Sequence, residues 1–170
     1  MSFYNYCKKC KHSDCCSVPY FAFVSNFEKE KIIQYLKSIK NPLKDKPLFE
    51  KFKVEGLNGE YFYRISKKIN GKCIFLRDNK SCLIQKVKPV DCILWPLTFD
   101  YMQKTKEIII YIGNCFSINE MKRMKILNNW IQDQKKLLLS RIKEYNTSEL
   151  IAYTSLYGAP NLRVLESIPI

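Results

Sequence analysis

Eight cysteines constrain what this 170-residue chain can fold into and bind more than any other feature of its sequence. They form an N-terminal group, C-x-x-C-x-x-x-x-C-C, and a group spread over the middle of the chain: Cys7, Cys10, Cys15, Cys16, Cys73, Cys82, Cys92 and Cys115. In a C-x-x-C step one tight turn aims both thiolates at one ion, as in zinc and iron–sulfur sites. Because neighbouring side chains diverge, the vicinal pair serves two different centres or leaves one thiol outside the site.

The surroundings of the cysteines favour metal binding over disulfides. The first residues lack the basic and apolar regions of a secretory signal, and no apolar run approaches the roughly 18 residues of a membrane span. We therefore expect a cytoplasmic protein with no membrane span. In that reducing compartment clustered cysteines more often bind metal or do redox chemistry than form structural disulfides. Buried cysteine packing and a disulfide framework are weaker alternatives.

The charge balance gives a weaker indication of function. The chain has a formal net charge of +13, from 24 lysines and only 5 arginines. Arginine is the preferred residue for phosphate forks and base edges, so a lysine excess is weaker evidence for nucleic acid. Part of the charge lies near the thiols, where cations favour the ligating thiolate. These lysines are Lys8, Lys9, Lys11, Lys72, Lys80, Lys86 and Lys88.

Local patterns predict short strands and several helices. Ser25 and Glu28 fit a capping box at the start of a helix that ends at Asn41-Pro42. Asn70-Gly71 predicts a type I′ hairpin joining strands 61–65 and 73–76, and a second strand pair is expected at 97–101 and 107–112. A second capping box, Ser117 with Glu120, begins one long helix. A short helix follows from Ser148-Glu149 and ends near Gly158.

These elements predict an α+β fold. We expect a small, irregular, metal-stabilised domain with short antiparallel β-hairpins, an N-terminal helix and a long C-terminal helix. Residues 1–116 form the cysteine-cluster metal-chelating domain, and residues 117–170 form a helical extension packed on it in one compact unit. The pattern shows no internal repeat.

The ordered cysteines resemble those of the YkgJ-family cysteine-cluster proteins, a zinc- or iron-chelating domain shared with flagellin N-methylases. The C-x-x-C and C-C steps are followed by Cys73-Ile74-Phe75-Leu76, then by Cys82-Leu83-Ile84-Gln85, and then by the segment Lys88-Pro89-Val90-Asp91-Cys92-Ile93-Leu94-Trp95-Pro96. Lys88 and Ile93 stand where the family has arginines, and Gln85 stands where it has tyrosine. The resemblance implies metal chelation by the shared cysteines, which here are all eight.

Three functions follow as hypotheses. The first is a metal-binding protein that chelates zinc or a 4Fe–4S iron–sulfur cluster, with all eight cysteines as candidate ligands and the cluster slightly favoured because the ligands are spread over distant segments. His12 is a candidate ligand of lower rank. The second is a cluster-dependent enzyme related to the flagellin lysine methylases, with a pocket lined by Tyr63, Trp95 or Asp91; no catalytic residue is assigned.

The third is a zinc-stabilised nucleic-acid-binding module that uses the cationic side of the long helix. That side carries Lys122, Arg123, Lys125, Lys135, Lys136, Arg141 and Lys143.

Overall fold

A computed structural model describes residues 14–17, 19–40, 42–57, 59–157 and 162–170. Cys7, Cys10 and His12 lie outside these residues. The chain divides into two compact units, one ending at Ile93 and the other containing Leu94–Ile170. Strands 97–112 therefore group with the C-terminal helices, whereas the sequence assigns them to the cysteine-rich part. Helices and antiparallel sheets confirm the α+β class.

The first unit contains a three-stranded antiparallel sheet and two helices. Its strands are β1 (Phe23–Val24), β2 (Phe49–Phe52) and β3 (Phe62–Ile65), in the order β1-β3-β2. Its helices are α1 (Asn26–Ser38) and α2 (Val90–Leu94), the last residue of which begins the second unit.

The Ser25–Glu28 capping box is confirmed at the start of α1. The Glu28 amide donates to Ser25 Oγ, and the Ser25 amide donates to the Glu28 carboxylate. The other oxygen of Glu28 accepts the N–H of Val90 at 2.6 Å. One buried carboxylate therefore joins the N-terminus of α1 to the first residue of α2.

The hairpin predicted at Asn70-Gly71 is partly wrong. A turn is present, but Gly71 has a positive φ of 75° while Asn70 does not. The Gly71 N–H donates to the Lys68 carbonyl and the Lys68 N–H to the Lys72 carbonyl, which is a type I turn followed by one left-handed residue. Strand β3 pairs with β1 and β2, while Cys73 makes only an isolated bridge with Lys67.

The second unit contains an antiparallel sheet in the order β4-β5-β6. Its strands are β4 (Leu97–Met102), β5 (Glu107–Ile112) and β6 (Arg163–Pro169). The predicted β4–β5 pair is confirmed, whereas β6 was not predicted. Its helices are α3 (Phe116–Arg123), α4 (Leu127–Ile142) and α5 (Thr147–Tyr157).

The predicted single long helix is wrong, because it is divided into α3 and α4. The break contains Lys125, whose φ of 58° is left-handed and cannot continue a helix. The second capping box is also wrong, since α3 begins one residue before Ser117 with Cys115 as the N-cap. The short C-terminal helix is confirmed, with Asn146 and Glu149 forming its reciprocal cap.

Helix α5 covers the outer edge of β4. The ring of Tyr153 stacks on Phe99 at a centroid distance of 4.0 Å, and its hydroxyl lies 2.8 Å from Thr98 Oγ1. The backbone N–H of Tyr101 donates to Thr154 Oγ1 at 2.8 Å, which satisfies an edge donor that would otherwise face a buried environment. Within the described residues, no helix has both the length and the apolar character needed to cross a membrane.

Candidate metal centre

Four thiols of the first unit form one electrostatic group, which we call the thiol group: Cys16, Cys73, Cys82 and Cys92. In each of the six pairs within this group, the negative charge of one thiolate would raise the pKa of the other thiol. Cys73, Cys82 and Cys92 also pack against the hydrophobic core that contains Ile65, Phe75 and Ile84. The structure therefore places four of the eight predicted ligands in one part of the first unit, near enough for their charges to interact.

Two of these cysteines follow matching turns. In the first turn, Gly71 N–H donates to the Lys68 carbonyl and Lys68 N–H donates to the Lys72 carbonyl; Cys73 is the next residue. In the second turn, Lys80 and Arg77 make the equivalent bonds, and Cys82 is the next residue.

Asparagine side chains close both turns. Asn70 Oδ1 accepts the N–H of Lys72 at 3.2 Å, and Asn79 Oδ1 accepts the N–H of Ser81 at 3.0 Å. The left-handed position is Gly71 in one turn and Lys80, with a φ of 61°, in the other. The two turns therefore form a short structural repeat with a period of nine residues, where the cysteine spacing alone had indicated no internal repeat. In the sequence, this repeat is visible as an asparagine three residues before a cysteine, which occurs at Asn70 and Cys73 and again at Asn79 and Cys82.

The chain turns again after each of these cysteines, and the turn aims an amide at the sulfur. The N–H of Phe75 donates to the Cys73 sulfur, and the N–H of Ile84 donates to the Cys82 sulfur, two residues on in both cases. Such bonds favour the thiolate, which is the form that ligates a metal. Burial opposes them: it raises the pKa of Cys73 to about 11 and also raises the pKa of Cys82.

Cys92 lies on α2, which two buried carboxylates attach to the rest of the unit. Glu28 accepts the N–H of Val90, and Asp91 Oδ2 accepts the N–H of Phe23 at 2.9 Å. Burial, followed by the charge of Asp91, raises the pKa of the Cys92 thiol well above its usual value. Asp91, a predicted pocket residue of the enzyme hypothesis, is 7% exposed and holds β1.

Cys16 differs from the other three members of the thiol group. The hydrogen bond from the Cys15 thiol lowers the pKa of Cys16 to about 6, against the opposing effect of burial, and Lys88 and Lys67 lower it further. Lys88 acts on Cys82 in the same direction. Lys88 therefore supplies a cation to two of the four thiols.

The remaining predicted ligands have different positions. Cys15 is exposed beside the thiol group, and Cys115 belongs to the second unit, where it precedes α3. Cys7 and Cys10 lie outside the described residues. None of the six described cysteines is joined in a disulfide.

The donor set and its spacing can be compared with known metal chemistry. Thiolates alone suit zinc and iron–sulfur clusters. Tetrahedral zinc, with Zn–S of about 2.3 Å, needs sulfurs about 3.8 Å apart. Over the part of the chain that the structure describes, no three Cys, His, Asp or Glu side chains are arranged to hold a metal ion. The thiol group thus supplies donor atoms that zinc and iron–sulfur clusters use, but its described members are not arranged around a single ion.

The other two hypotheses gain little from the structure. The ammonium of Lys29 lies 3.6 Å from the centroid of the Tyr63 ring, and Trp95 is in the second unit. A cavity of about 570 Å³ is lined by Leu36, Leu48 and their neighbours but by no cysteine. Three of the seven cations predicted to form a nucleic-acid face are paired with carboxylates: Arg123 with Glu120, Lys135 with Glu166, and Arg141 with Glu144.

Comparison with known proteins gives no match: no protein-family model, no curated protein and no solved structure matches the chain. Membership of the cysteine-cluster family therefore stays a prediction from the cysteine order.

Proposed function

We propose that this protein is a metal-binding protein whose thiol group holds a 4Fe–4S iron–sulfur cluster. Cys16, Cys73, Cys82 and Cys92 are the ligands, and Cys15 lies outside this set. When bound, such a cluster supplies an electron-transfer or a structural centre. A single zinc ion on the same thiols is the alternative that the experiment below distinguishes.

The proposal rests mainly on one observation: Cys16, Cys73, Cys82 and Cys92, which come from separate segments of the first unit, are near enough for the charge of one thiolate to act on the others. A cluster contains several irons and sulfides, so it can use cysteine ligands from several segments of a chain. The separation of the thiols along the chain, from residue 16 to residue 92, agrees with this.

The matched turns and the nearby cations support the same proposal. Backbone N–H bonds to the sulfurs of Cys73 and Cys82 and the charges of Lys67 and Lys88 favour the thiolate form, in opposition to burial, which raises the pKa of Cys73 and of Cys82. A simple hydrophobic role for these cysteines requires neither. The resemblance to zinc- and iron-chelating domains, carried by the cysteine order, is an independent support.

The test is anaerobic purification of variants, followed by elemental analysis and an optical spectrum. We expect Cys73→Ser and Cys82→Ser to lose the metal and the broad visible absorption of a cluster, because each removes one ligand. Lys135→Ala, which breaks an ion pair in the second unit, serves as the control and keeps both. Metal retained in both cysteine variants would refute the ligand assignment, and a colourless protein with stoichiometric zinc would replace the cluster by zinc.

A further inference from the structure

We propose that the cavity beside the C-terminal end of α1 binds an aliphatic carboxylate, the anion of a medium-chain fatty acid. The cavity has a volume of about 570 Å³ and is lined by three apolar side chains and three lysines: Ile33, Leu36, Leu48, Lys37, Lys40 and Lys44. All six residues belong to the first unit, and none is a cysteine. The site is therefore separate from the thiol group, and its ligand binds whether or not a metal is present.

The cavity lies between a helix face and the segment that follows the helix. Ile33, Leu36 and Lys37 have the spacing i, i+3, i+4, which places them on one face of α1. The chain leaves the helix direction at Lys40, whose φ of 50° is left-handed. The carbonyl of Leu48 accepts the N–H of Ser66 at 3.0 Å, which attaches the following segment to the residue after β3. Both sides of the cavity are thus held by ordered backbone.

The apolar and charged residues of the lining differ in burial. Leu36 is 1% exposed and belongs to the hydrophobic core, Leu48 packs against that core, and Ile33 is partly buried. All three lysines are exposed. The inner side of the cavity is therefore apolar and its outer side is cationic. The volume lies within the range of about 300–1,000 Å³ that small-molecule sites have.

The charged residues of the lining have one sign. No carboxylate lines the cavity, and none of its three lysines forms an ion pair with another described residue. Asp45 follows Lys44 in the sequence, but it is exposed and outside the lining. Three ammonium groups around one cavity repel one another, and an anion placed among them offsets that repulsion.

This lining selects an aliphatic chain that ends in an anion. The hydroxyl groups of a sugar need acceptors as well as donors, whereas the lysine ammonium groups supply donors only. A neutral apolar molecule would leave the ammonium groups without a counter-charge, and an apolar cation would be repelled. A fatty-acid anion suits both sides of the cavity, because its chain covers the apolar side and its carboxylate accepts charge-assisted hydrogen bonds.

The first experiment measures affinity by isothermal titration calorimetry with the full chain and three probes: octanoate, decanoate and dodecanoate, each below its micelle concentration. We expect one anion per chain, with binding tightening about tenfold for every two added methylene groups. Decyltrimethylammonium, which has an apolar chain and the opposite charge, should bind at least tenfold more weakly than decanoate. Equal affinity for these two probes, or no dependence on chain length, would overturn the proposal.

The second experiment locates the site with charge-reversed double variants. Lys37→Glu with Lys44→Glu should weaken decanoate binding at least tenfold, because it replaces two attractive charges with two repulsive ones. Lys31→Glu with Lys46→Glu is the matched control: it changes the net charge equally, in the same helix and the same following segment, at exposed positions outside the lining. An equal loss in both double variants would show a general charge effect and refute the site. If the first pair fails to fold, the corresponding glutamine variants replace both pairs.

A third experiment distinguishes the cavity from two other sources of the same signal. A second cavity of about 450 Å³, in the other unit, is apolar with a single lysine, Lys143. Lys143→Glu should leave decanoate binding unchanged, and a tenfold loss there would move the ligand and overturn the proposal. Sedimentation with phosphatidylcholine vesicles, with and without phosphatidylglycerol, tests an anionic membrane as the source of the chain. Vesicle binding without binding of free decanoate would also overturn the proposal.

Discussion

Glu28 provides the most direct test of how the first unit is held together. The residue is 6% exposed, and its carboxylate accepts two backbone N–H groups, that of Ser25 at 3.0 Å and that of Val90 at 2.6 Å. Both donors belong to buried residues. Glu28→Ala therefore removes the helix cap of α1 and the bond that attaches α2, without leaving a substitute acceptor in either place.

The magnitude follows from the two donors. A buried donor left without a partner costs about 1–3 kcal/mol, and hydrogen bonds to a charged group lie at the upper end of the usual range. Two such donors predict a loss of about 2–6 kcal/mol in the free energy of unfolding of the first unit. Glu28→Gln keeps one amide oxygen as an acceptor and should fall between Glu28→Ala and the wild type.

Hydrogen exchange of the α1 amides measures this loss, because it reports on the first unit separately from the second. The matched control is Glu30→Ala, which removes an exposed carboxylate from the same helix. We expect the control to lie within about 0.5 kcal/mol of the wild type. Equal protection factors in Glu28→Ala and Glu30→Ala would refute the claim that Glu28 joins α1 to α2.

Three further changes have defined outcomes. Burial raises the pKa of Asp100, so the folded state binds the proton of this carboxyl group more tightly than the unfolded state does. The stabilising contribution of Asp100 is therefore greatest below the ordinary carboxyl pKa and is lost as pH rises through the raised pKa. Asp100→Asn should remove this dependence of the free energy of unfolding on pH, measured by urea titrations at several pH values. Lys80→Gly should raise the free energy of unfolding in urea by about 1 kcal/mol, because it relieves a lysine with left-handed backbone angles. Gly71→Ala, at the equivalent position of the other turn, should lower the free energy of unfolding by about 1 kcal/mol. Changes of the same sign would contradict the repeat. Tyr153→Phe should cost about 1–2 kcal/mol in thermal unfolding, because Thr98 loses its hydroxyl partner; an unchanged midpoint would contradict this.

Features with a local cause could be predicted from the sequence. The Ser25–Glu28 capping box joins residues only three positions apart, so the two residue types and their spacing are enough to predict it. The β4–β5 pair follows from two apolar segments joined by a short polar loop. Asn70-Gly71 correctly indicated a turn, but not its type, since the same dipeptide also suits a type I turn with a left-handed glycine after it.

Features with a distant cause could not be predicted. Strand β3 pairs with β1, which lies far from it in the sequence, and with β2, and these two neighbours leave no edge for the expected partner at 73–76. The helix break at Lys125 has no glycine or proline to signal it. The cysteine order predicted a metal site. The position of Cys92 depends on two hydrogen bonds between distant segments, from Val90 N–H to the Glu28 carboxylate and from Phe23 N–H to the Asp91 carboxylate.

The most direct test of the central claim is the iron and acid-labile sulfide content of the wild-type protein purified without oxygen. A 4Fe–4S cluster on Cys16, Cys73, Cys82 and Cys92 predicts about four irons and four sulfides per chain, with broad visible absorption. A protein that contains neither iron nor zinc would contradict the assignment of these thiols as ligands.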